Sequence, residues 1–231
     1  MSETVRIKTD DGEFSAYRAA KADVRNAPAL VVIQEIFGVN PFVKMVADHY
    51  AGRGFVVYAP DLFWRLEPGL SLNPETQFDE ALALMGKFDQ DKGVEDIQRT
   101  LTAARGDAAS NGKVGAVGYC LGGRLAYLTA TRTDADASVG YYGVGIEGLL
   151  SEKSSIKKPL MLHIAGEDGF VPPEAQRAIR EELEPIDLAT LHDYPERDHA
   201  FARWDHPSAH HEADAKLADG RTLDFFREHL V

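Results

Sequence analysis

Residues 29–34 and 55–59 are apolar almost without interruption, and a stretch of helical period, 41–53, lies between them. Short runs of this kind mark strands that show neither face to water. Such strands belong to parallel sheets covered by crossover helices. The helical stretch carries Val43, Val46, Ala47 and Tyr50 on one side and ends at Gly52 and Gly54. The alternation then continues. The pattern predicts a helix over 94–109, a strand over 113–119, a helix over 121–131 and strands over 138–142 and 159–165. A helix over 172–183, a strand over 189–194 and a helix over 208–230 follow. Ahead of them, residues 5–8 and 13–18 alternate around Asp10-Asp11-Gly12, the signature of a hairpin. The expectation is an α/β chain with a mostly parallel central sheet and helices on both faces.

With 231 residues, the chain is expected to form a single domain over 1–231. One stretch breaks the rhythm. From Pro60 to Lys92 the chain passes Phe63-Trp64-Arg65, Pro68-Gly69 and Asn73-Pro74 before an apolar helix around 81–88. Connectors are rarely this long unless they line or cover a site, so 61–92 reads as a lid-like excursion.

The formal net charge of -12 repels a phosphate backbone, so a nucleic-acid partner is not expected. A single cysteine allows no internal disulfide. The first residues, Met1-Ser2-Glu3-Thr4-Val5-Arg6, do not resemble a signal peptide, and no apolar run is long enough to span a membrane. A cytoplasmic protein without a membrane partner is expected, with its thiol kept reduced.

That thiol stands in Gly118-Tyr119-Cys120-Leu121-Gly122-Gly123, between an expected strand and an expected helix. The arrangement is a G-x-S-x-G nucleophile elbow with cysteine in place of serine. The turn must be sharp enough to lift its side chain above the sheet edge, which leaves no room for side chains at the flanking glycines. The helix N-terminus behind it favours thiolate and oxyanion charge. In this arrangement the partners follow in the order acid, then base. Asp168 follows the strand 159–165, with Glu167 as the rival acid, and His199 lies in the loop after the last strand. His199 would hold the thiol proton while Asp168 fixes its tautomer. The residue before it is Asp198, and an acidic neighbour would raise the basicity of the imidazole. His163, inside a strand, reads as a core residue. His206, His210 and His211 match no zinc spacing, so neither metal nor cofactor is expected.

Gln34-Glu35-Ile36-Phe37-Gly38-Val39-Asn40 follows the first buried strand, where such folds supply the second oxyanion donor. The backbone amides of Leu121 and Ile36 are the expected pair. Glu35 would oppose anion stabilisation there unless it bonds the resting thiol, clamps the loop or sits in a buried ion pair.

Together these segments resemble the dienelactone hydrolase family. The matching pieces include Tyr58-Ala59-Pro60-Asp61-Leu62, Val139-Gly140-Tyr141-Tyr142-Gly143, Gly166-Glu167-Asp168 and His199-Ala200-Phe201-Ala202-Arg203, in order and nearly end to end. The resemblance implies a Cys120–His199–Asp168 triad that cleaves dienelactone or related esters. It implies that Glu35 restrains the cysteine until substrate displaces it, that Arg203 binds a substrate carboxylate, and that Tyr141 and Phe37 lie near the pocket. A second carboxylate-binding arginine of the family falls on Phe78 in this chain, and Arg65 is the candidate replacement. The expected partner is a small ester or lactone, with an anionic one compatible, and a monomer is expected. Two other readings remain. One is a general carboxylesterase for neutral esters with a lid of Phe63, Trp64 and Phe78. The other is a binding protein that has lost turnover.

Overall fold

The computed structural model describes residues 1–231 and divides into two compact units, Met1–Ala116 and Val117–Val231. In the first, β1 (Ser2–Thr9) and β2 (Gly12–Ala19) form the expected antiparallel hairpin, with Thr9 opposite Gly12. The turn closes when the Asp11 N–H donates to Thr9 Oγ1 at 3.1 Å. β2 pairs antiparallel with β4 (Val56–Pro60), and β4 pairs parallel with β3 (Ala27–Ile33). Val56, Val57 and the residues of β3 from Ala29 to Ile33 are fully shielded, which is why their sequence shows no polar alternation. Between them runs α1 (Pro41–Gly52). Its N-terminus is set by Asn40, whose side chain accepts the Val43 N–H, and by a proline in the first turn.

The excursion holds α2 (Phe78–Met85), of which only Ala81 is buried, and leads into α3 (Gln90–Arg105). Both start a turn or so earlier than the apolar periodicity indicates. For α3 the reason is a cap: Asp89 accepts the Asp91 and Lys92 N–H groups, and Gly106 ends the helix. β5 (Ser110–Tyr119) carries the chain from the first unit into the second.

The second unit continues with α4 (Leu121–Arg132), β6 (Ala137–Tyr141), a 3-10 segment (Ile146–Ser155), β7 (Leu160–Ala165), α5 (Pro173–Leu183), β8 (Ala189–Tyr194) and α6 (Glu212–Leu230). β6, β7 and β8 are parallel, with Tyr141 opposite His163 and Ala165 opposite Tyr194. The strand order is β1-β2-β4-β3-β5 in the first unit and β5-β6-β7-β8 in the second. The eight strands make a mostly parallel sheet of the α/β-hydrolase type. α6 starts later than the sequence suggests because His211 caps it, its Nδ1 accepting the Asp214 N–H. No helix is long and apolar enough to cross a membrane.

A polar layer runs through the core of the second unit. His163, wholly buried on β7, bonds Tyr194 Oη at 2.9 Å and Thr222 Oγ1 at 3.0 Å. Tyr141 Oη shares the same Thr222 oxygen at 2.6 Å, and Arg221 donates to Tyr194 Oη at 3.2 Å. Burial pushes the His163 pKa well below its usual value, and the positive charges of His192 and Arg221 add to that. It is a neutral core histidine with both ring nitrogens satisfied.

Candidate active site

The turn after β5 is strained at the cysteine. Cys120 has φ 56° and ψ -115°, a region that L residues with a side chain seldom occupy. Holding it there costs about 1–3 kcal/mol, which the surrounding packing must offset. A Cβ on Gly118 would lie 1.9 Å from the Gly122 carbonyl oxygen, and one on Gly123 would lie 2.4 Å from that of Tyr141. The bend therefore closes only with glycine at both places. The Cys120 N–H donates to the Tyr141 carbonyl at 3.1 Å. Its own carbonyl accepts from the Gly123 and Arg124 N–H groups at 2.9 and 3.2 Å. The first amides of α4, beginning with Leu121, have no acceptor inside the helix and carry its partial positive charge. The Cys120 side chain is neither sealed in nor fully open.

Asp168 follows β7 and is 4 % exposed, whereas its rival Glu167 faces solvent. Its Oδ1 accepts the Phe170 N–H at 2.9 Å, and its Oδ2 accepts from His199 Nδ1 at 2.8 Å. With Nδ1 committed as donor, Nε2 is the ring nitrogen left for the neighbouring thiol. Burial is the largest influence on the imidazole and opposes its charge. The hydrogen bond that His199 donates to Asp168, and the nearby Cys120 and Asp168 charges, outweigh it, so the His199 pKa rises to about 10.

Asp198 is not among the groups that raise it. Its Oδ1 instead accepts the His199 N–H at 2.6 Å and the Gly169 N–H at 3.4 Å, tying the loop after β7 to the loop after β8. The expectation that Asp198 makes the imidazole more basic is therefore corrected: its carboxylate is spent on backbone. Tyr142 and Phe170 meet the imidazole edge-on from ring centroids 4.9 Å away.

Strain gathers at this spot. Of the four non-glycine residues with positive φ, three are Cys120, Tyr142 and Ala200. Tyr142 touches the imidazole and Ala200 follows it in the chain.

Residues 14–230 match the sequence profile of the dienelactone hydrolase family. The chain belongs to that family. It is 47 % identical over 225 residues to a protein of Azospirillum brasilense named "Putative carboxymethylenebutenolidase", with 96 % of each chain covered. It is 39 % identical over 227 residues to the carboxymethylenebutenolidase of Pseudomonas putida, covering 97 % of this chain and 96 % of that one. Among solved structures it is similar to a "Putative Dienelactone Hydrolase" from Klebsiella pneumoniae. There the TM-score is 0.86 at 26 % identity, with 98 % of both chains covered. The chain is a dienelactone hydrolase-like enzyme acting on ester or lactone bonds.

The remaining residues expected at a dienelactone hydrolase site fall in several places. Arg203 is 2 % exposed, and its Nε and Nη2 grip both oxygens of Asp205 at 2.9 and 2.8 Å. Tyr141 belongs to the buried polar layer, its hydroxyl on Thr222. Arg65 is not a spare cation. It donates to both oxygens of Asp96 and to Asp11, and it stacks 4.3 Å above the Trp64 ring. In the first unit, Glu35 and Ile36 are buried after β3, beside Gln34, whose Oε1 accepts the Leu62 N–H. The Phe37 carbonyl accepts the Leu72 N–H, and its ring lies 6.3 Å from that of half-exposed Phe78. Sequence reasoning missed Tyr142 and Phe170. The doubled aromatic Tyr141-Tyr142 ahead of a glycine was the available signal for the first. The second had none beyond its position after Asp168. Of the late histidines, His206 bonds Ser208 Oγ at 3.0 Å and His211 caps α6.

Proposed function

We propose that the chain hydrolyses its ester or lactone through a Cys120 nucleophile, with His199 as proton carrier and Asp168 as its anchor. The observation that carries this reading is the 2.8 Å Asp168–His199 contact, together with a cysteine held at φ 56° on the turn after β5. His199 already holds the thiol proton as imidazolium, in keeping with its raised pKa, and leaves Cys120 as the thiolate. The thiolate adds to the carbonyl carbon. The developing oxyanion lies at the N-terminus of α4, with the Leu121 amide as donor. Collapse breaks the acyl C–O bond, and the imidazolium protonates the departing oxygen, leaving a thioester on Cys120. Neutral His199 then draws a proton from water as it attacks the thioester. The carboxylic acid leaves and the thiol is restored.

The substrates named for the relatives make a dienelactone-type lactone the first candidate, with p-nitrophenyl acetate as a neutral probe. Cys120→Ala removes the nucleophile and is expected to lower kcat on both by roughly 10⁴-fold or more. Turnover at the original rate in that variant would end this reading.

A further inference from the structure

Phe170 is the one phenylalanine that stands more than half in water, at 53 % exposed. A single exposed apolar side chain is ordinary. What sets this one apart is how firmly its backbone is fixed and what its ring touches. The turn 168–171 answers each of its amides. Gly169 donates to Asp198 Oδ1 at 3.4 Å, Phe170 to Asp168 Oδ1 at 2.9 Å and Val171 to the Asp168 carbonyl at 3.1 Å. Buried Gln176 secures the same turn, its Nε2 donating to the Val171 carbonyl at 2.8 Å. The turn that carries the acid therefore also presents a large flat ring to solvent.

That ring meets His199 edge-on, centroids 4.9 Å apart and planes at 73°. Tyr142 also meets the imidazole, and Asp168 holds Nδ1. Only 13 % of the imidazole side chain is left open. Of the three residues that hold it, Tyr142 and Asp168 are buried, and Phe170 alone is open to solvent. A molecule that reaches the imidazole from solvent therefore passes beside Phe170.

We propose that Phe170 is a specificity-determining residue for the leaving group, its exposed ring receiving a flat, unsaturated alcohol part of the substrate while His199 protonates the departing oxygen. The proton passes over a hydrogen bond of about 3 Å, so whatever is attached to that oxygen lies one bond further on, within contact distance of a ring that already touches the imidazole. Two rings at such a distance attract through edge-to-face or offset contact, and covering the exposed ring removes apolar surface from water. A ring fixed in advance by its turn loses little freedom when it is covered. The enzyme thus prefers aryl and enol esters to esters of saturated alcohols of equal acidity. This inference rests on Cys120 as nucleophile and His199 as proton carrier.

The test compares phenyl acetate with hexafluoroisopropyl acetate, whose alcohols are similar in acidity while only the first is flat and aromatic. In Phe170→Ala, the ratio of kcat/KM for the phenyl ester to that for the fluorinated ester is expected to fall about tenfold. Phe170→Tyr, which keeps the ring, should keep the ratio. Both esters leave the same acetyl thioester, so its hydrolysis, followed in a single turnover, measures what the ring does for His199 alone. That step should slow by less than the ratio falls. An unchanged ratio, with or without slower deacylation, would overturn the proposal, since Phe170 would then serve only the imidazole or the turn. So would a shift in the preference between p-nitrophenyl acetate and p-nitrophenyl butyrate as large as the fall in the ratio, which would put the ring on the acyl side. Ester hydrolysis that survives Cys120→Ala would instead overturn the nucleophile assignment. Binding of p-nitrophenol to Cys120→Ala, followed by absorbance and expected to weaken severalfold when Phe170→Ala is added, still reports on the ring separately.

Discussion

Two polar clusters in this molecule use the same materials to opposite ends. In the excursion, Arg65, Trp64, Asp96 and Asp11 form a cluster whose donors are answered. Arg65 spends Nε, Nη1 and Nη2 on carboxylates, and Trp64 Nε1 donates to Asp96 at 2.9 Å. No residue there has positive φ apart from Gly12 of the hairpin and Gly69. Around Cys120, Asp168 and His199 the carboxylate is answered, but by a titratable imidazole of raised pKa, and three residues are held in strained backbone. A buried polar cluster that is complete and relaxed stabilises a fold. One that is strained and holds a transferable proton is equipped for chemistry.

The sharpest way to break this contrast is to disturb the anchor on the chemical side. In Asp168→Asn, a neutral amide can no longer hold the imidazolium, and kcat is expected to fall by roughly 10²–10⁴-fold, measured with p-nitrophenyl acetate. The pH profile carries the second half. The folded-state pKa of His199 lies above its ordinary 6.5, at about 10. The interactions that hold its proton are therefore at full strength below about 6.5 and are lost as the pH rises through about 10. The wild type should lose activity on an alkaline limb near pH 10, and Asp168→Asn should move that limb toward neutrality. An unmoved limb would show that Asp168 does not set the charge of the imidazole.

On the structural side the matching change is Asp96→Ala, which strips Trp64 Nε1 and Arg65 Nη1 of their acceptor and leaves Nη2 with Asp11 alone. Asp96 is fully buried, but Arg65 is a quarter exposed, so solvent recovers part of the loss. A destabilisation of about 2–3 kcal/mol is expected, which in a chain of this size lowers Tm by roughly 5–10 °C. Turnover per folded molecule should stay within about twofold. If thermal melting is unchanged while kcat falls as it does in Asp168→Asn, the two clusters are not different in kind.

Much of this was legible in the residues themselves. The unbroken apolar runs at 29–34 and 55–59 announce strands buried on both faces, and the structure has them as β3 and β4. Helix starts were less legible, because α3 and α6 are begun by the caps Asp89 and His211 rather than by apolar period. The three residues proposed for chemistry could be picked out because each follows a strand, and the structure puts Asp168 and His199 in contact. Partnerships could not be read in this way. Arg65 and Arg203 look in sequence like cations available to substrate, and only three-dimensional packing reveals Asp96 and Asp205 beside them.

The smallest expected effect separates backbone support from charge within the site itself. Asp198 accepts two N–H groups and lies one residue from the imidazole, so sequence proximity and hydrogen bonding suggest different roles for it. In Asp198→Ala both donors lose their acceptor at a site partly open to water, which loosens the two loops that carry Asp168 and His199. A loss of roughly threefold in kcat is expected, consistent with about 0.5–1 kcal/mol of positioning. The alkaline limb should stay where it is, because the groups that raise the His199 pKa are Asp168 and Cys120. A limb displaced toward neutrality in Asp198→Ala would mean that this carboxylate also holds the proton. The line between groups that position the imidazole and groups that charge it would then have to be redrawn to include Asp198.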